Sequence, residues 1–422
     1  ALRPRHLGCH GYPYPTSPHM DRLAAEGVRF AQCMAVSAHT FPPIVSLLTG
    51  QTPFTHGLMD ERDLVRWRSP QTRAKAPLPL EVLARAGWLV DGELVMRYAP
   101  VGFSRDMNDF AAYLEAYGDR PWFYFAEPYD THLPYNPPRE YYEQFLPADF
   151  HPDPATQARL EIVRTRMILH PPDVLSKLET GAEDALGQGD EAHQRSVAVV
   201  EFEPQDAPGI RALYDGEVRV LDDRLGGWLD HLEAKGLLDD TLVIVTADHG
   251  EELLERGHVG HTSCNLKGTL HDESIHVPLI MRYPPGLPAG VVVEQQVSQV
   301  DLLPTLFDLL GLELPLPADG QSLLPLLAGG GADFRAEAYA ETPPAGWQAL
   351  PGDERRLYCV RTAEWKLIVH HDRASGEERE ELYHLRTDPE ERTNVIARYP
   401  QIHQALRRKL EAQRAGGRPA YW

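Results

Sequence analysis

Hydrophobic patterns of helical and strand type alternate along this chain. Residues 17–27, SPHMDRLAAEG, offer Ser17 as an N-cap, Pro18 at the first helical position and Gly27 as a stop, and the strand-like VRF follows. Residues 79–88, PLEVLARAGW, repeat the order helix, glycine, strand. PWFYFAEP (121–128) reads as a buried strand ending in polar residues. Over 210–235, Ile210, Leu213, Tyr214, Leu221, Leu225, Trp228, Leu229 and Leu232 fall near a helical period. TLVIVTADHG then forms an apolar strand ending in Asp248-His249. VPLIMRYP (277–284) is a further strand, and QVDLLPTLFDLLG (299–311) a helix stopped by Gly311. Strands alternating with helices predict an α/β chain with a mostly parallel central sheet and helices on both faces. Such sheets carry their chemistry at the carboxyl ends of strands. The polar residues after FYFAEP and after TLVIVTA sit there.

Residues 148–208 are rich in Asp, Pro and Gln, weakly periodic, and read as an inserted cap or loop region. AGGGAD (328–333) is a flexible joint. Beyond it come short strands and turns, RLYCVRTAEWKLIVHH and EELYHLRTDPEE, and a closing charged helix, YPQIHQALRRKLEAQ. The expected division is a catalytic domain over 1–333 and a small α+β C-terminal subdomain over 334–422. No internal repeat is visible.

Composition narrows the function. The chain has 422 residues, with 41 basic against 62 acidic side chains and a formal charge of −21. That charge disfavours nucleic acid and anionic membranes as partners. An anionic substrate would then need a local cation, for which a metal is the natural candidate. No apolar run approaches the roughly 18 residues of a membrane span. The four cysteines, Cys9, Cys33, Cys264 and Cys359, are widely spread and form no Cys-x-x-Cys pair. They read as neither a disulfide framework nor a zinc knuckle, so a reducing, cytoplasmic setting is the expectation. Self-association into a homo-oligomer is left open.

Four stretches could carry chemistry. In AHTFPPIVSLLTG (38–50), Thr40 stands just ahead of a short helix that opens with Pro42-Pro43 and ends at Gly50. Its hydroxyl is either an ordinary cap or a nucleophile. The helix N-terminus beside it is a ready anion site. As a nucleophile it would need a base or a metal. In TADHGEE, Asp248 and His249 offer an oxygen and a nitrogen ligand side by side. They reach one ion only if the strand has ended and Gly250 permits a turn. Equally, Asp248 could cap a helix with Glu251 and Glu252 in its first turn. His132, in EPYDTHLPYNPP, could bind an anionic ester or protonate a leaving group. GHVGHTSCNLKG brings His258, His261 and Lys267 ahead of a strand, and Lys267 could neutralise a phosphate or sulfate.

Together these pieces resemble the sulfatase family of the alkaline phosphatase superfamily. The resemblance runs from LRPRHLGCHGYPYPTSPHMDRLAAEGVRF through TFPPIVSLLTGQTPFTHG and TLVIVTADHGEE to HDESIHVPLIMRYP and DLLPTLFDLLGLELP. It continues to RTAEWKLIV and ELYHLRTDPEERTNV, and is weakest over about 88–120 and 148–208. It implies an alkaline-phosphatase-like α/β fold. The family's nucleophile segment ends in Leu-x-Thr-Gly, which puts Thr40 at the nucleophile position. Its DHG pair maps to Asp248 and His249 as metal ligands, with Thr40 as a third. Its loop histidine maps to His132 and its lysine ahead of Val-Pro-Leu to Lys267. His132, Lys267 and His261 become the substrate-binding set. Three features depart from the family pattern. Thr40 cannot be converted to formylglycine, and Ile44 stands where an arginine is usual. That resembles the phosphodiesterase and nucleotide pyrophosphatase branch, in which a metal-bound threonine attacks phosphorus. The family's first strand and its metal aspartates are expected ahead of Ala1. Its Lys-x-His segment is replaced by WLVDGELVMRYAPVGFSR, where Asp91 or Arg97 could face the pocket.

The resemblance implies a metal-dependent hydrolase of small anionic esters, with phosphate mono- or diesters or phosphonate esters favoured on chemical grounds. A sulfatase proper, an inactive anion-binding relative and a phosphomutase-type transferase are the alternatives. The cation is calcium, manganese or zinc, the histidine ligand tilting towards the last two.

Overall fold

The computed structural model describes residues 1–59, 79–90, 103–104, 108–169, 197–262, 268–315, 317–331, 333–346 and 353–416. Helix α1 (Pro18–Glu26) leads into strand β1 (Val28–Met34), and the fully buried helix α2 (Phe41–Thr49) follows. Gly50 closes α2 at φ 70°, a left-handed C-cap that favours glycine. The long helix α3 (Ala207–Ala234) precedes β2 (Val243–Thr246). Strands β3 (His276–Arg282), β4 (Val291–Val293) and β5 (Val297–Ser298) lead to helix α4 (Leu302–Leu310).

The central sheet runs β4-β1-β3-β2, with β5 also on β1. β4 and β5 pair with β1 in parallel, while β3 is antiparallel to both β1 and β2. Among the described residues the sheet is therefore mixed, with β3 antiparallel to its two neighbours. VPLIMRYP is a buried apolar run, and burial on both faces leaves no trace of strand direction in the sequence. Because β1 and β2 run the same way, their carboxyl ends share one edge. PWFYFAEP contributes only a two-residue strand, Phe125–Ala126, paired with Phe103–Ser104. Within 148–208, the helix Pro154–Thr165 is tied to the start of α3 by Arg159, which donates to both oxygens of Asp206 at 2.7 and 2.9 Å.

Ser17 does not cap α1. Its hydroxyl accepts from the Gly8 amide and donates to Asp21. The free amides of His19 and Met20 instead donate to the buried Asp222 of α3, each at 2.8 Å.

A second sheet is an antiparallel meander: β6 (Ala338–Thr342), β7 (Arg355–Arg361), β8 (Trp365–Asp372) and β9 (Glu378–His384). The closing helix α5 (Pro400–Gly416) covers it with Leu406 and Leu410, which cluster with Val360, Leu367, Val369 and Leu382. Phe54, just beyond α2, joins that cluster. A buried ionic knot fastens the two sheets. Arg361 of β7 donates to both oxygens of Asp272 at 3.0 and 2.8 Å, and Lys366 of β8 reaches Asp272 and Glu391 at 2.7 and 2.8 Å.

Candidate active site

Six residues after β1 ends, Thr40 lies at the mouth of α2. It does not act as a cap: its φ and ψ, −51° and −46°, are already helical, and its hydroxyl bonds no helix amide. Thr40 Oγ1 lies 3.2 Å from His249 Nε2 instead. The helix end is a poorer anion cradle than its position implies. Pro42 and Pro43 occupy two of its first three positions and have no N–H, so the dipole remains but most of the donors do not.

Strand β2 stops at Thr246, and the backbone turns so that Asp248 and His249 face the same place. The turn does not need glycine for a left-handed φ. Gly250 is required because a Cβ there would lie 2.0 Å from the Glu273 carbonyl oxygen. That close approach is held by Gly250 N to Ser274 O and Glu251 N to Glu273 O, both 2.8 Å. His249 Nδ1 donates to the Gly250 carbonyl at 2.8 Å, since a carbonyl can only accept. Its Nε2 then faces two oxygens, Thr40 Oγ1 and, at 3.1 Å, Asp248 Oδ2. Burial works to raise the Asp248 carboxyl, but the neighbouring His249, 3.1 Å from Oδ2, acts against it, and the carboxyl is held well below its ordinary value.

The His249 Nε2 nitrogen, the Thr40 hydroxyl and the Asp248 carboxylate oxygen thus converge, and a cation shared by the three groups would satisfy them all. One carboxylate, one imidazole and one hydroxyl form a donor set that fits calcium, manganese or zinc. Asp248, His249 and Thr40 are thus the residues that would hold an ion. A second cluster, His19, Asp222 and Asp223, has three ligand atoms within 4.8 Å of one another. Its carboxylates already accept from the α1 amides, from Tyr141 and from Arg219, so it serves packing.

The loop after Phe125–Ala126 brings in His132. Thr131 sits at φ 69°, a strained conformation for a threonine, and is almost wholly buried. Three bonds pin the loop: Asp130 to Arg224 at 3.0 Å, Tyr135 N to Val163 O at 3.0 Å, and Asn136 N to Glu217 Oε1 at 2.6 Å. His132 Nδ1 donates to Leu133 O. Burial drives its pKa down to about 4. A neutral ring with Nδ1–H already committed presents Nε2 as an acceptor, so His132 must take up a proton there before it can donate to an ester oxygen or to a leaving group.

His261 completes the wall. Its ring centroid is 4.1 Å from that of His249 and 4.8 Å from that of His132. Its Nδ1 donates to the buried Glu251 at 3.0 Å, and burial, then His249 and His132, keep its pKa well below the ordinary value. The site therefore brings together Thr40, His132, Asp248, His249 and His261. Lys267, Asp91 and Arg97 lie outside the described residues. Glu251 is the neighbour that the sequence reading did not connect to the site: it hydrogen-bonds His261 and starts no helix. The available signal was an acid one residue beyond the Asp-His pair, across Gly250, in a stretch bounded by apolar residues.

The mixed α/β architecture, with its antiparallel C-terminal sheet, is of the alkaline-phosphatase and sulfatase type. A model of the sulfatase family matches residues 1–89 and 104–312, and one for the C-terminal region of N-sulphoglucosamine sulphohydrolase matches 261–416. The chain belongs to the sulfatase family. Arylsulfatase K of Mus musculus is 34% identical over 213 residues, a match spanning 50% of this chain but only 37% of that protein. N-acetylglucosamine-6-O-sulfatase of Bacteroides thetaiotaomicron is 25% identical over 491 aligned positions, covering 96% of this chain and 83% of the relative. Among solved structures, the phosphonate monoester hydrolase of Agrobacterium radiobacter superposes with a TM-score of 0.68 at 25% identity, over 99% of this chain and 94% of that one. A protein solved with its substrate D-glucosamine-2-N,6-O-disulfate gives 0.70 at 21% identity, over 99% and 97%.

Proposed function

We propose that this chain hydrolyses phosphate or phosphonate esters, with Thr40 as the attacking residue. The observation that carries the reading is Thr40 Oγ1, 3.2 Å from His249 Nε2 and released from any capping role. A divalent cation held by Asp248, His249 and Thr40 would lower the hydroxyl's pKa and offset the charge of the ester. The Thr40 oxygen forms a bond to phosphorus as the bond to the leaving alcohol breaks, and that alcohol departs with a proton. Water then cleaves the phosphothreonine and restores the hydroxyl. His132 and His261 line the ester's path, and Lys267 is the expected counter-charge for its oxygens. Threonine favours phosphorus over sulfur because it carries no aldehyde hydrate through which a sulfate could be expelled. The structural likeness to a phosphonate monoester hydrolase supports the same choice.

The test is turnover of p-nitrophenyl phosphate, bis(p-nitrophenyl) phosphate, p-nitrophenyl phenylphosphonate and p-nitrophenyl sulfate, with calcium, manganese or zinc added. Phosphorus esters are expected above the sulfate, with Thr40→Ala reduced to background. Preference for the sulfate would favour a sulfatase proper, as the likeness to arylsulfatase K does. Binding of all four esters without turnover would make the chain an inactive anion-binding relative.

A further inference from the structure

We infer that Gln299 is a positioning residue that fixes the separation of Thr40 from the Asp248-His249 pair; the inference rests on the reading of Thr40 as nucleophile. The two halves of the site sit on separate strand exits, and no covalent link between positions 40 and 248 is shorter than the two hundred residues between them. One wholly buried side chain joins them. Gln299 Nε2 donates to the backbone carbonyls of Ala247 and Asp248, at 2.5 and 2.8 Å. Its Oε1 accepts from the backbone amide of Val36 at 3.1 Å, four residues before Thr40. Reversing the amide would turn its oxygen towards two carbonyls and its NH2 towards an N–H, so the network sets its orientation.

The residue is itself held in place. It opens the single turn Gln299–Asp301, closed by a reciprocal cap in which the Ser298 amide donates to Asp301 Oδ2 at 2.7 Å. Two donors and one acceptor at this reach are the property of a glutamine amide. A glutamate has no donor to offer the carbonyls, and a methionine has neither function. Gln299 meets neither the ester nor the attacking oxygen, so its effect falls on geometry. Displacement of a reacting group by about 1 Å costs on the order of a hundredfold in rate.

The experiment compares kcat and KM of wild type, Gln299→Met, Gln299→Glu and Thr40→Ala on the best phosphorus ester, with thermal unfolding recorded for each. Gln299→Met keeps volume and apolar fit. It is expected to fold, to lose about ten- to a hundredfold in kcat, and to hold KM within about threefold, since the ester-binding rings are untouched. Gln299→Glu, which keeps the acceptor for Val36, should lose kcat at least as far, and it serves as the reading if the methionine variant fails to fold. A folded variant with kcat within twofold of wild type overturns the inference, as does a loss confined to KM. If Thr40→Ala equals wild type, the nucleophile reading itself has failed, whatever Gln299 does.

Discussion

Gly250→Ala tests the local architecture at its tightest point. The added Cβ would lie 2.0 Å from Glu273 O, 3.0 Å from Glu273 C and 3.3 Å from Ser274 C, whereas ordinary contact begins at 3.4 Å. All three are backbone atoms, so no side chain can swing away. The two backbones must separate by roughly 1.4 Å, which breaks Gly250 N to Ser274 O and Glu251 N to Glu273 O. Overpacking of this kind costs about 1–3 kcal/mol, and each lost bond about 1 kcal/mol, for a total of about 3–5 kcal/mol. The same movement drags His249 from Thr40, so kcat should fall by about a hundredfold. Urea unfolding and steady-state turnover read the two effects. Gly227→Ala is the control: it sits on the exposed side of α3 with nothing near its would-be Cβ, and should gain about 0.5–1 kcal/mol. If Gly250→Ala lost less than about 1 kcal/mol and kept its turnover, the explanation of this glycine by close approach would be refuted.

Two further predictions concern buried charge. Lys366→Met strips the amine from between Asp272 and Glu391, all three buried, and should cost about 3–5 kcal/mol in urea unfolding; a loss below about 1 kcal/mol would show the knot to be dispensable. Burial, reinforced by Glu273, raises the Glu252 carboxyl to about 8. Between its ordinary value and that one the folded state keeps a proton the unfolded state has lost, so stability falls as pH rises through this window. Glu252→Gln, permanently neutral, should flatten the decline from pH 5 to 8 by a few kcal/mol, since each tenfold change in proton affinity is worth on the order of 1.4 kcal/mol. An unchanged slope would remove Glu252 as its source.

Much of this was legible in the residues. Pro18, Gly50 and Gly311 bound their helices because proline and glycine act through the local backbone. The grouping of Thr40 with Asp248 and His249 came from the family resemblance, because the residues alone leave Thr40 and Asp248 an ordinary helix-cap reading. What stayed hidden depends on partners distant in sequence. Asp222 takes the capping role that Ser17 advertises, from some two hundred residues away. The reversed direction of β3 leaves no periodic mark. Gly250 looks like a turn residue, yet it is required by a carbonyl from another segment. Glu251 has the composition of a helix start, and only the fold turns it beneath His261.

The central claim is that Thr40 becomes covalently modified during turnover. Rapid acid quenching of the manganese- or zinc-loaded protein with bis(p-nitrophenyl) phosphate, followed by peptide mass mapping, tests it directly. The account predicts a phosphoryl ester on the peptide spanning residues 38–50, located at Thr40 and absent from Thr40→Ala. Continued turnover with that peptide unmodified, or the ester found on another residue, would contradict it.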